Sequence, residues 1–544
     1  MAKVTGGEAL VQSLIAHGVD TVFGLPGVQN DHLFNALYDN RDKIRVIHSR
    51  HEQGAAYMAL GYALSTGKVG VCSVVPGPGF LNASAALVTA YSTNAKVLCL
   101  VGQIQSDSIN KGYGLLHEIP DQIGILKTLT KWAERIETPA DAPSLVAEAF
   151  RQLHSGRPRP VGLECAPDVL ATKTEVDLTL VDYPLRHPPV DMDHLAEAVE
   201  LLRQAKNPLI FVGLGAIDAA PAIQELAELL QAPVVSGRSG HGILSSRHPL
   251  SLRTTAGHQL WEKADVVLTL GSRLSRPMMT WGTDDNLKII RVDIDPAEHY
   301  RVKPPTVGFV ARCEEVVPAL LDALKQQGIA NASRSEEMED IKAELDTRAA
   351  LVAPQVAFLQ AMRAVLPDDG YFVDDLTQVG YVSRTELPIY QPRTYISPGY
   401  QGTLGWSYAT ALGVKVAHPD KSVLSIAGDG GFMFNVQELA TAVKHKINVV
   451  AVVFSDGAFG NVQRMQKKDH GGRVIATDLE NPDFVKLAEA FGALGLRAHT
   501  PEELAAAISQ GFAAERPTLI EVPVGEMPAP WSLYYLPRNR PARG

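Results

Sequence analysis

One segment constrains the fold and the chemistry of this chain more than any other. The apolar run 422–427 leads directly into Gly428-Asp429-Gly430-Gly431. A buried strand that ends in a glycine turn lets backbone N–H groups approach an anion closely. Taken alone, Gly-Asp-Gly is more often a plain turn that requires positive φ than a ligand site.

The segment that follows repeats this arrangement of strand and turn. Apolar residues at helical spacing predict a helix over 435–445, and the run 448–454 predicts a strand that ends just before Asp456. Because parallel strands end at the same edge of a sheet, Asp429 and Asp456 are expected to lie close together. Two carboxylates there can share one hard cation, which indicates a diphosphate held through a divalent metal.

Strands and helices alternate along most of the chain, which predicts an α/β protein of three doubly wound parallel-sheet domains. We expect a pyrimidine-binding domain at 1–172, a central domain at 190–325 and a diphosphate-binding domain at 354–526, followed by a C-terminal tail at 527–544. The functional labels of these domains come from the resemblance described below. A Pro-rich break at 183–189 separates the first domain from the second.

Other segments are defined by charge or by the absence of a pattern. The stretch 325–349 is charged and short of apolar periodicity, which favours a helical linker that crosses the surface. Residues 1–18 are typical of an amphipathic helix that opens after Thr5-Gly6-Gly7-Glu8, and not of a cleavable signal. The Arg-rich tail is expected to be solvated and disordered.

Bulk properties exclude several classes of protein. A net charge of −10 over 544 residues argues against a nucleic-acid or anionic-membrane partner. No apolar run is long enough to span a bilayer, and we expect a cytoplasmic protein. The cysteines show no CxxC pairing, so buried free thiols are favoured over disulfides or a zinc site. They are Cys72, Cys99, Cys165 and Cys313.

The segment from 428 to 458 resembles the cofactor motif of thiamine-diphosphate-dependent enzymes, the superfamily of acetohydroxyacid (acetolactate) synthase, benzaldehyde lyase and pyruvate decarboxylase. The resemblance implies that Asp429, Asp456 and the backbone carbonyl of Ala458 coordinate Mg²⁺, or Ca²⁺, which binds the cofactor diphosphate. Asp456 departs from the family pattern, which usually has Asn. Because an added negative charge beside a diphosphate opposes its binding, we expect cofactor affinity to depend strongly on the metal.

A second motif lies far away in the sequence. The strand-like run 43–48 leads into Arg50-His51-Glu52-Gln53 and a predicted helix over 54–64. A lone Glu at this place would merely favour the helix N-terminus through the macrodipole. The resemblance instead implies that Glu52 hydrogen-bonds N1′ of the aminopyrimidine and so promotes loss of the thiazolium C2 proton.

A third motif precedes the predicted helix over 406–416. The resemblance implies that Leu404 lies under the thiazolium ring and that the carbonyl of Gly402 accepts from the 4′-amino group, although Leu404 alone would be simply the first core residue of a helix. Asp375 and Gln378 match the diphosphate-contacting segment only loosely. The residues expected to bind the cofactor are Glu52, Asp375, Gln378, Gly402, Leu404, Gly428, Gly430, Gly431, Gly457, Ala458 and Phe459.

Substrate identity is expected to depend on Gln29, His117 and the residues around them. Pyruvate decarboxylases have an Asp at the place of Val28 and a His-His pair at the place of His117-Glu118, so no single subfamily fits this chain. His117 could act as a proton shuttle, or could be a hydrogen-bonded loop histidine with no chemical role. We take Glu52, His117 and Gln29 as the candidate catalytic residues.

The resemblance implies a carboligase or lyase of acetolactate-synthase type that acts on 2-oxo acids, aldehydes or 2-hydroxy ketones. A simple 2-oxo acid decarboxylase is the close alternative. An acyl-CoA lyase, of the 2-hydroxyacyl-CoA or oxalyl-CoA type, would use Arg538, Arg540 and Arg543 on the CoA phosphates. A non-catalytic nucleotide-binding subunit is a further alternative. We expect no FAD in the central domain, and a homodimer or homotetramer with active sites between chains.

Overall fold

The computed structural model describes residues 1–180, 185 and 188–540. Most of the Pro-rich break at 183–189 therefore lies outside the described residues, as does Arg543. The described chain forms three six-stranded sheets, all of whose strand pairs are parallel. Helices pack beside each sheet, so the predicted fold class is confirmed.

The N-terminal unit contains the first sheet, in the order β3-β2-β4-β5-β7-β6, and an antiparallel pair β1-β8. Its elements are β1 (Ala2–Thr5), α1 (Gly6–Ala16), β2 (Thr21–Gly24), α2 (Asp31–Asp39), β3 (Arg45–His48), α3 (Glu52–Thr66), β4 (Gly70–Val74), α4 (Pro78–Ser92), β5 (Val97–Gly102), α5 (Gln122–Leu129), β6 (Trp132–Ile136), α6 (Ala142–His154), β7 (Val161–Cys165), α7 (Pro167–Ala171) and β8 (Lys173–Val176).

The central unit contains the second sheet, in the order β11-β10-β9-β12-β13-β14. Its elements are α8 (Met192–Gln204), β9 (Pro208–Val212), α9 (Ala220–Leu230), β10 (Val234–Ser236), β11 (Ser251–Leu252), α10 (Thr254–Trp261), β12 (Val266–Leu270), β13 (Lys288–Val292), α11 (Pro296–Tyr300), β14 (Val307–Phe309), α12 (Cys313–Gln326) and α13 (Ser335–Ala349).

The C-terminal unit contains the third sheet, in the order β16-β15-β17-β18-β20-β19. Its elements are α14 (Ala353–Val365), β15 (Tyr371–Val373), α15 (Gln378–Glu386), β16 (Tyr395–Ile396), α16 (Ser407–Ala417), β17 (Val423–Gly428), α17 (Asp429–Phe432), α18 (Glu438–His445), β18 (Val450–Ser455), α19 (Gly460–Asp469), α20 (Phe484–Phe491), β19 (Leu494–Arg497), α21 (Pro501–Ala513), β20 (Thr518–Pro523) and α22 (Trp531–Tyr534).

The first and third sheets share one strand order relative to the sequence, and this order places their ligand-binding edges. In each of these two sheets the chain adds one strand on one side of a starting strand and then adds the remaining strands on its other side. The change of side lies between β2 and β4 in the first sheet and between β15 and β17 in the third. Open parallel sheets bind ligands where the order reverses, outside the carboxyl ends of the strands. The N-terminal and C-terminal units therefore each present one such crevice.

The N-terminal and C-terminal units pack together through α3 and α16, and their buried side chains form one continuous core. Glycines let the two helix backbones touch. A Cβ added to Gly61 would lie 2.0 Å from the carbonyl oxygen of Thr410, and one added to Gly413 would lie 1.9 Å from that of Met58. Because neither backbone can give way locally, a side chain at either position would separate the helices.

Three local predictions are corrected by the structure. The helix expected to open after Thr5-Gly6-Gly7-Glu8 begins slightly earlier, at Gly6 behind the capping Thr5, and residues 2–5 form β1, which pairs with β8. The helix expected from 435 begins at Glu438. The stretch 325–349 is helical in α13, but it packs on the central unit, since Met338 and Leu345 join its core.

The tail is also packed where the structure describes it. Arg540 is 4% exposed, and both Asp284 carboxylate oxygens accept hydrogen bonds from its Nη1 at 2.9 Å. Leu533 is buried in the core of the C-terminal unit. Residues 527–540 therefore run across the molecule to the central unit, and the expectation of a solvated tail is wrong for them.

The cysteines are buried free thiols, as predicted. Helices that combine the length and the apolar character needed to cross a bilayer are absent from the described part of the chain.

Gly413→Ala tests the close approach of α3 and α16. Alanine favours a helix intrinsically by about 1 kcal/mol, but the added methyl group meets backbone, so we expect a net loss of about 1–3 kcal/mol in the free energy of unfolding. Urea unfolding measures this loss. Gly525→Ala is the control, because no atom lies within 4 Å of a Cβ built there. Equal stability of the two variants would contradict the packing argument.

Candidate active site

The C-terminal unit has a cavity at the predicted edge of its sheet, where β17 and β18 end beside α15 and α19. Most of the residues predicted for the metal and the diphosphate line it. The lining residues are Leu376, Thr377, Gln378, Tyr381, Leu404, Gly428, Asp429, Gly430, Gly431, Phe454, Asp456, Ala458, Phe459, Gly460, Asn461, Val462 and Arg464.

Asp429 lies at the end of β17 and is almost fully buried, with 1% of its surface exposed. Its Oδ1 accepts the N–H of Gly430 at 2.8 Å. Its Oδ2 accepts the N–H of Gly457 at 2.8 Å and the side-chain amide of Asn481 at 2.7 Å. Neutral donors therefore orient this carboxylate without cancelling its charge.

Asp456 follows the neighbouring strand β18. Its Oδ2 accepts from the Gln378 amide at 2.8 Å, and its Oδ1 accepts the N–H of Ala458 at 3.2 Å. Burial, followed by the nearby charge of Asp429, raises the pKa of Asp456 to about 6. Because β17 and β18 are paired, the two carboxylates lie at the same edge of the sheet.

This pair of carboxylates has no cationic partner within the described ranges, since no Lys, Arg or His forms an ion pair with Asp429 or Asp456. Two neighbouring carboxylates, one buried and one half-buried, are favourable only when a cation or a proton compensates their charge. The described residues contain no cluster of three His, Cys, Asp or Glu side chains able to hold a metal. A cation here would therefore need further oxygen ligands, from a backbone carbonyl such as that of Ala458 and from a bound phosphate.

Glycines shape the wall of the cavity. A Cβ added to Gly430 would lie 2.5 Å from the ring of Phe459, and one added to Gly431 would lie 3.2 Å from Cδ1 of Leu404. Gly457 has a φ of 69°, which glycine adopts without strain. The glycines thus keep open a cavity that a diphosphate could enter. Gly402 does not line this cavity.

Asp375 does not line the cavity either. Its carboxylate is fully buried and accepts the N–H groups of Leu376 at 2.7 Å and Gly405 at 3.2 Å, together with the hydroxyl of Ser407 at 2.8 Å. Burial raises the pKa of Asp375 to about 6. Its contacts fix the start of α16 beside Leu404, so its role is to position the cavity wall.

Glu52 lies in the other crevice, on the N-terminal unit. It is the first residue of α3, and its Oε2 accepts from the Asn82 side chain on α4 at 3.0 Å. A Cβ added to Gly79 would lie 3.3 Å from Oε1 of Glu52 and 2.6 Å from a methyl group of Val75. The turn that follows β4 therefore supports this carboxylate.

Gln29 and His117 meet beside the same turn. The amide of Gln29 donates to the carbonyl of Leu116 at 3.1 Å, and a Cβ on Gly77 would lie 2.4 Å from the carbonyl of His117. Within the described structure, Oε1 of Gln29 and Nδ1 of His117 are buried without hydrogen-bond partners. Because such atoms are costly to leave unpaired, they favour a ligand or a further chain at this place.

The central unit has glycines at its own point of strand reversal. A Cβ on Gly213 would lie 2.5 Å from the carbonyl oxygen of Gly271, and one on Gly215 would lie 2.9 Å from its Cα. Close packing of two loops thus accounts for these glycines. The nearby Asp293 carboxylate forms an ion pair with Arg157 at 3.3 Å.

Most residues predicted for the metal and the diphosphate therefore line one cavity in the C-terminal unit. Glu52, Gln29 and His117 lie around one turn of the N-terminal unit, and none of the three lines that cavity within a single chain. Sequence reasoning missed Asn82, Asn481 and Arg464. Asn82 follows a Gly- and Pro-rich turn after β4, a strand-to-helix turn that could have indicated a ligand edge. No local sequence pattern points to Asn481 or Arg464.

Three family models match successive parts of the chain. They are the N-terminal binding domain, the central domain and the C-terminal binding domain of thiamine pyrophosphate enzymes, over residues 4–125, 195–320 and 375–522. The chain belongs to the thiamine pyrophosphate enzyme family. It is therefore a thiamine-diphosphate-dependent enzyme, as the sequence motifs predicted.

Curated relatives match nearly the whole chain. A probable 2-ketoarginine decarboxylase from Pseudomonas aeruginosa is 33% identical and covers 95% of this chain and 94% of its own length. The acetolactate synthase large subunit of Haemophilus influenzae is 32% identical, covering 94% of this chain and 93% of its own. Acetolactate synthase isozyme 3 large subunit from Escherichia coli is 30% identical, with coverage of 94% and 93%.

Asp375→Asn tests the positioning role of Asp375. In the wild type, both carboxylate oxygens of Asp375 accept from N–H groups. In the variant, the NH₂ group must face one of these sets of donors in either orientation of the amide, so we expect a loss of about 1–3 kcal/mol in the free energy of unfolding. Ser407→Ala is the control, because it removes one donor and leaves the acceptor intact. If urea unfolding shows Asp375→Asn to be no less stable than Ser407→Ala, this role is wrong.

Proposed function

We propose that the enzyme requires Mg²⁺, held by Asp429, Asp456 and the carbonyl of Ala458, and that it acts on 2-oxo acids as a carboligase or lyase of acetolactate-synthase type. The observation that carries the proposal is a pair of carboxylates, the buried Asp429 and the half-buried Asp456, which have no cationic partner among the described residues and lie at the edge where the C-terminal cavity opens. Mg²⁺ prefers oxygen ligands of this kind and keeps open positions for phosphate.

Each residue group has a separate task in this proposal. When bound, thiamine diphosphate supplies a carbon nucleophile and an electron sink for cleaving a bond next to a carbonyl. Leu404 offers an apolar surface to the cofactor rings from the wall of the cavity. Glu52 would hold the pyrimidine of the bound cofactor through a shared proton, and Asn82 holds the Glu52 carboxylate. In this proposal the unpaired Nδ1 of His117 donates to a substrate carbonyl, and the unpaired Oε1 of Gln29 accepts a hydrogen bond from the bound ligand.

We further propose that the complete active site needs two chains, in a homodimer or homotetramer. Glu52 does not line the cavity that contains Asp429 and Asp456 in its own chain. Exposed apolar side chains accompany both groups, including Val28 and Leu116 near Gln29, and Phe434 and Val462 near the cavity. A second copy of the chain would cover such surfaces. Buried free thiols suit a reducing compartment, and we propose the cytoplasm.

Acetolactate formation is favoured over simple decarboxylation by the relatives that are named acetolactate synthase large subunits. The 2-ketoarginine decarboxylase relative keeps release of an aldehyde as the second candidate. Mass analysis of products from pyruvate, glyoxylate, benzoylformate and 2-ketoarginine, each with and without an added aldehyde, separates the two. A new C–C bond supports ligation, and an aldehyde alone supports decarboxylation.

Removal of divalent metal tests the proposed Mg²⁺ site. We expect the affinity for thiamine diphosphate, measured by calorimetry, to fall at least about tenfold after chelation, because two carboxylates then repel the diphosphate. Added Mg²⁺ should restore it. Asp456→Asn is the matched control, since it removes one negative charge and should weaken the dependence on metal. Equal affinity with and without metal in the unmodified enzyme would contradict the site.

Glu52→Gln and Asp429→Asn each break one of the two residue groups. Glu52→Gln should lower kcat at least about 100-fold while cofactor affinity stays within about threefold, because only proton exchange with the pyrimidine is lost. Asp429→Asn should abolish cofactor binding. If each active site contains residues of two chains, an equal mixture of the Glu52→Gln and Asp429→Asn variants that is dissociated and reassociated should recover about a quarter of the wild-type activity. About half of the dimers are then mixed, and each mixed dimer has one intact site out of two.

Glu502→Gln is the control for this pair, because it makes the same change at an exposed position in the first turn of α21. It should leave kcat unchanged. Full activity of Glu52→Gln would remove Glu52 from the mechanism. No recovery in mixtures that demonstrably exchange subunits would contradict a site built between chains.

A further inference from the structure

The start of α3 is held by a carboxylate from a different unit. Glu438, the first residue of α18 in the C-terminal unit, is fully buried. Its Oε2 accepts the backbone N–H of Arg50 at 3.1 Å, and its Oε1 accepts that of His51 at 3.1 Å. These two residues immediately precede Glu52. A single side chain therefore fixes the backbone at the point where α3 begins.

The sequence leaves room for this carboxylate. A Cβ added to Gly54, in the first turn of α3, would lie 2.4 Å from Oε1 of Glu438. The hydroxyl of Thr441 donates to Oε2 at 2.6 Å, so both oxygens are occupied. Burial raises the pKa of Glu438, while its hydrogen bonds with Thr441, Arg50 and His51 oppose the shift. The geometry is thus specific to a side chain with two acceptor oxygens.

A second contact joins the other end of α18 to the same segment. Nε2 of His445, the last residue of α18, lies 3.1 Å from Nδ1 of His48, the last residue of β3. The segment between β3 and α3 is therefore held at both ends by one helix of the C-terminal unit. Glu438 does not line the cavity, and its contacts connect it to Glu52 only through the backbone of this segment.

We propose that Glu438 is a positioning residue, which fixes the first turn of α3 and thereby aims the carboxylate of Glu52. This inference rests on the proposed role of Glu52. Catalytic groups must be held closely in place, and a displacement of about 1 Å can cost about 100-fold in rate. Without Glu438 the N–H groups of Arg50 and His51 lose their acceptor, and the segment before Glu52 is free to shift.

Glu438→Gln tests the proposal, because the glutamine keeps one acceptor and turns an NH₂ group toward the other N–H. In the cofactor-free protein, amide hydrogen exchange at residues 50–55, followed by mass spectrometry, should accelerate at least about tenfold. In the holoenzyme, kcat and the exchange rate of the thiazolium C2 proton should both fall about 10- to 100-fold. KM and the affinity for thiamine diphosphate should stay within about threefold.

Two further variants complete the test. Thr441→Val removes a hydroxyl from the same carboxylate but leaves both backbone hydrogen bonds, so it should resemble the wild type in every measurement. Gly54→Ala displaces the carboxylate while keeping Glu438, and should reproduce the loss of kcat even if Glu438→Gln fails to fold.

The outcomes separate this inference from the proposed function. Unchanged amide exchange, or faster amide exchange with unchanged kcat and C2 exchange, would overturn the role of Glu438 while the wild type stays active. A wild type that does not accelerate C2 exchange would overturn the proposed role of Glu52, and the inference with it.

Discussion

The function proposed for this enzyme depends on two neighbouring carboxylates, the buried Asp429 and the half-buried Asp456, that no described residue neutralises. Parallel pairing of β17 with β18 brings the residues after both strands to one edge of the sheet. The hydrogen bonds at Asp429 and Asp456 come from backbone N–H groups and from side-chain amides, and these orient the oxygens but add no positive charge. Such a pair is strained in isolation and becomes favourable when a cation binds.

The same sheet topology in the N-terminal unit positions Glu52, Gln29 and His117. The strand order of the N-terminal sheet matches that of the C-terminal sheet, so its glycine turns also meet at a point of strand reversal. Packing of α3 on α16 then joins, in one core, the helix that begins at Glu52 and the helix that begins just after Leu404. Glu438 adds a direct polar link between these units at the first turn of α3.

Local sequence patterns were sufficient for most of the parallel strands and for the turns at their ends, because buried parallel strands are short apolar runs and several of them stop at glycine. Contacts between residues distant in sequence were not predictable in this way. Asp375 follows β15, which pairs with β17 in the same sheet, but its burial depends on the start of α16. Strand β1 depends on β8, and Arg540 depends on Asp284, so neither segment carried a local signal.

Electron paramagnetic resonance with Mn²⁺ in place of Mg²⁺ tests whether Asp429 and Asp456 hold the cofactor metal. With thiamine diphosphate present, we expect about one Mn²⁺ per chain with hyperfine coupling to ³¹P, because Asp429 and Asp456 would hold the metal beside the cofactor diphosphate. Asp429→Asn should abolish this signal. Bound Mn²⁺ without phosphorus coupling, or with coupling that persists in Asp429→Asn, would show that the two carboxylates do not hold the cofactor metal.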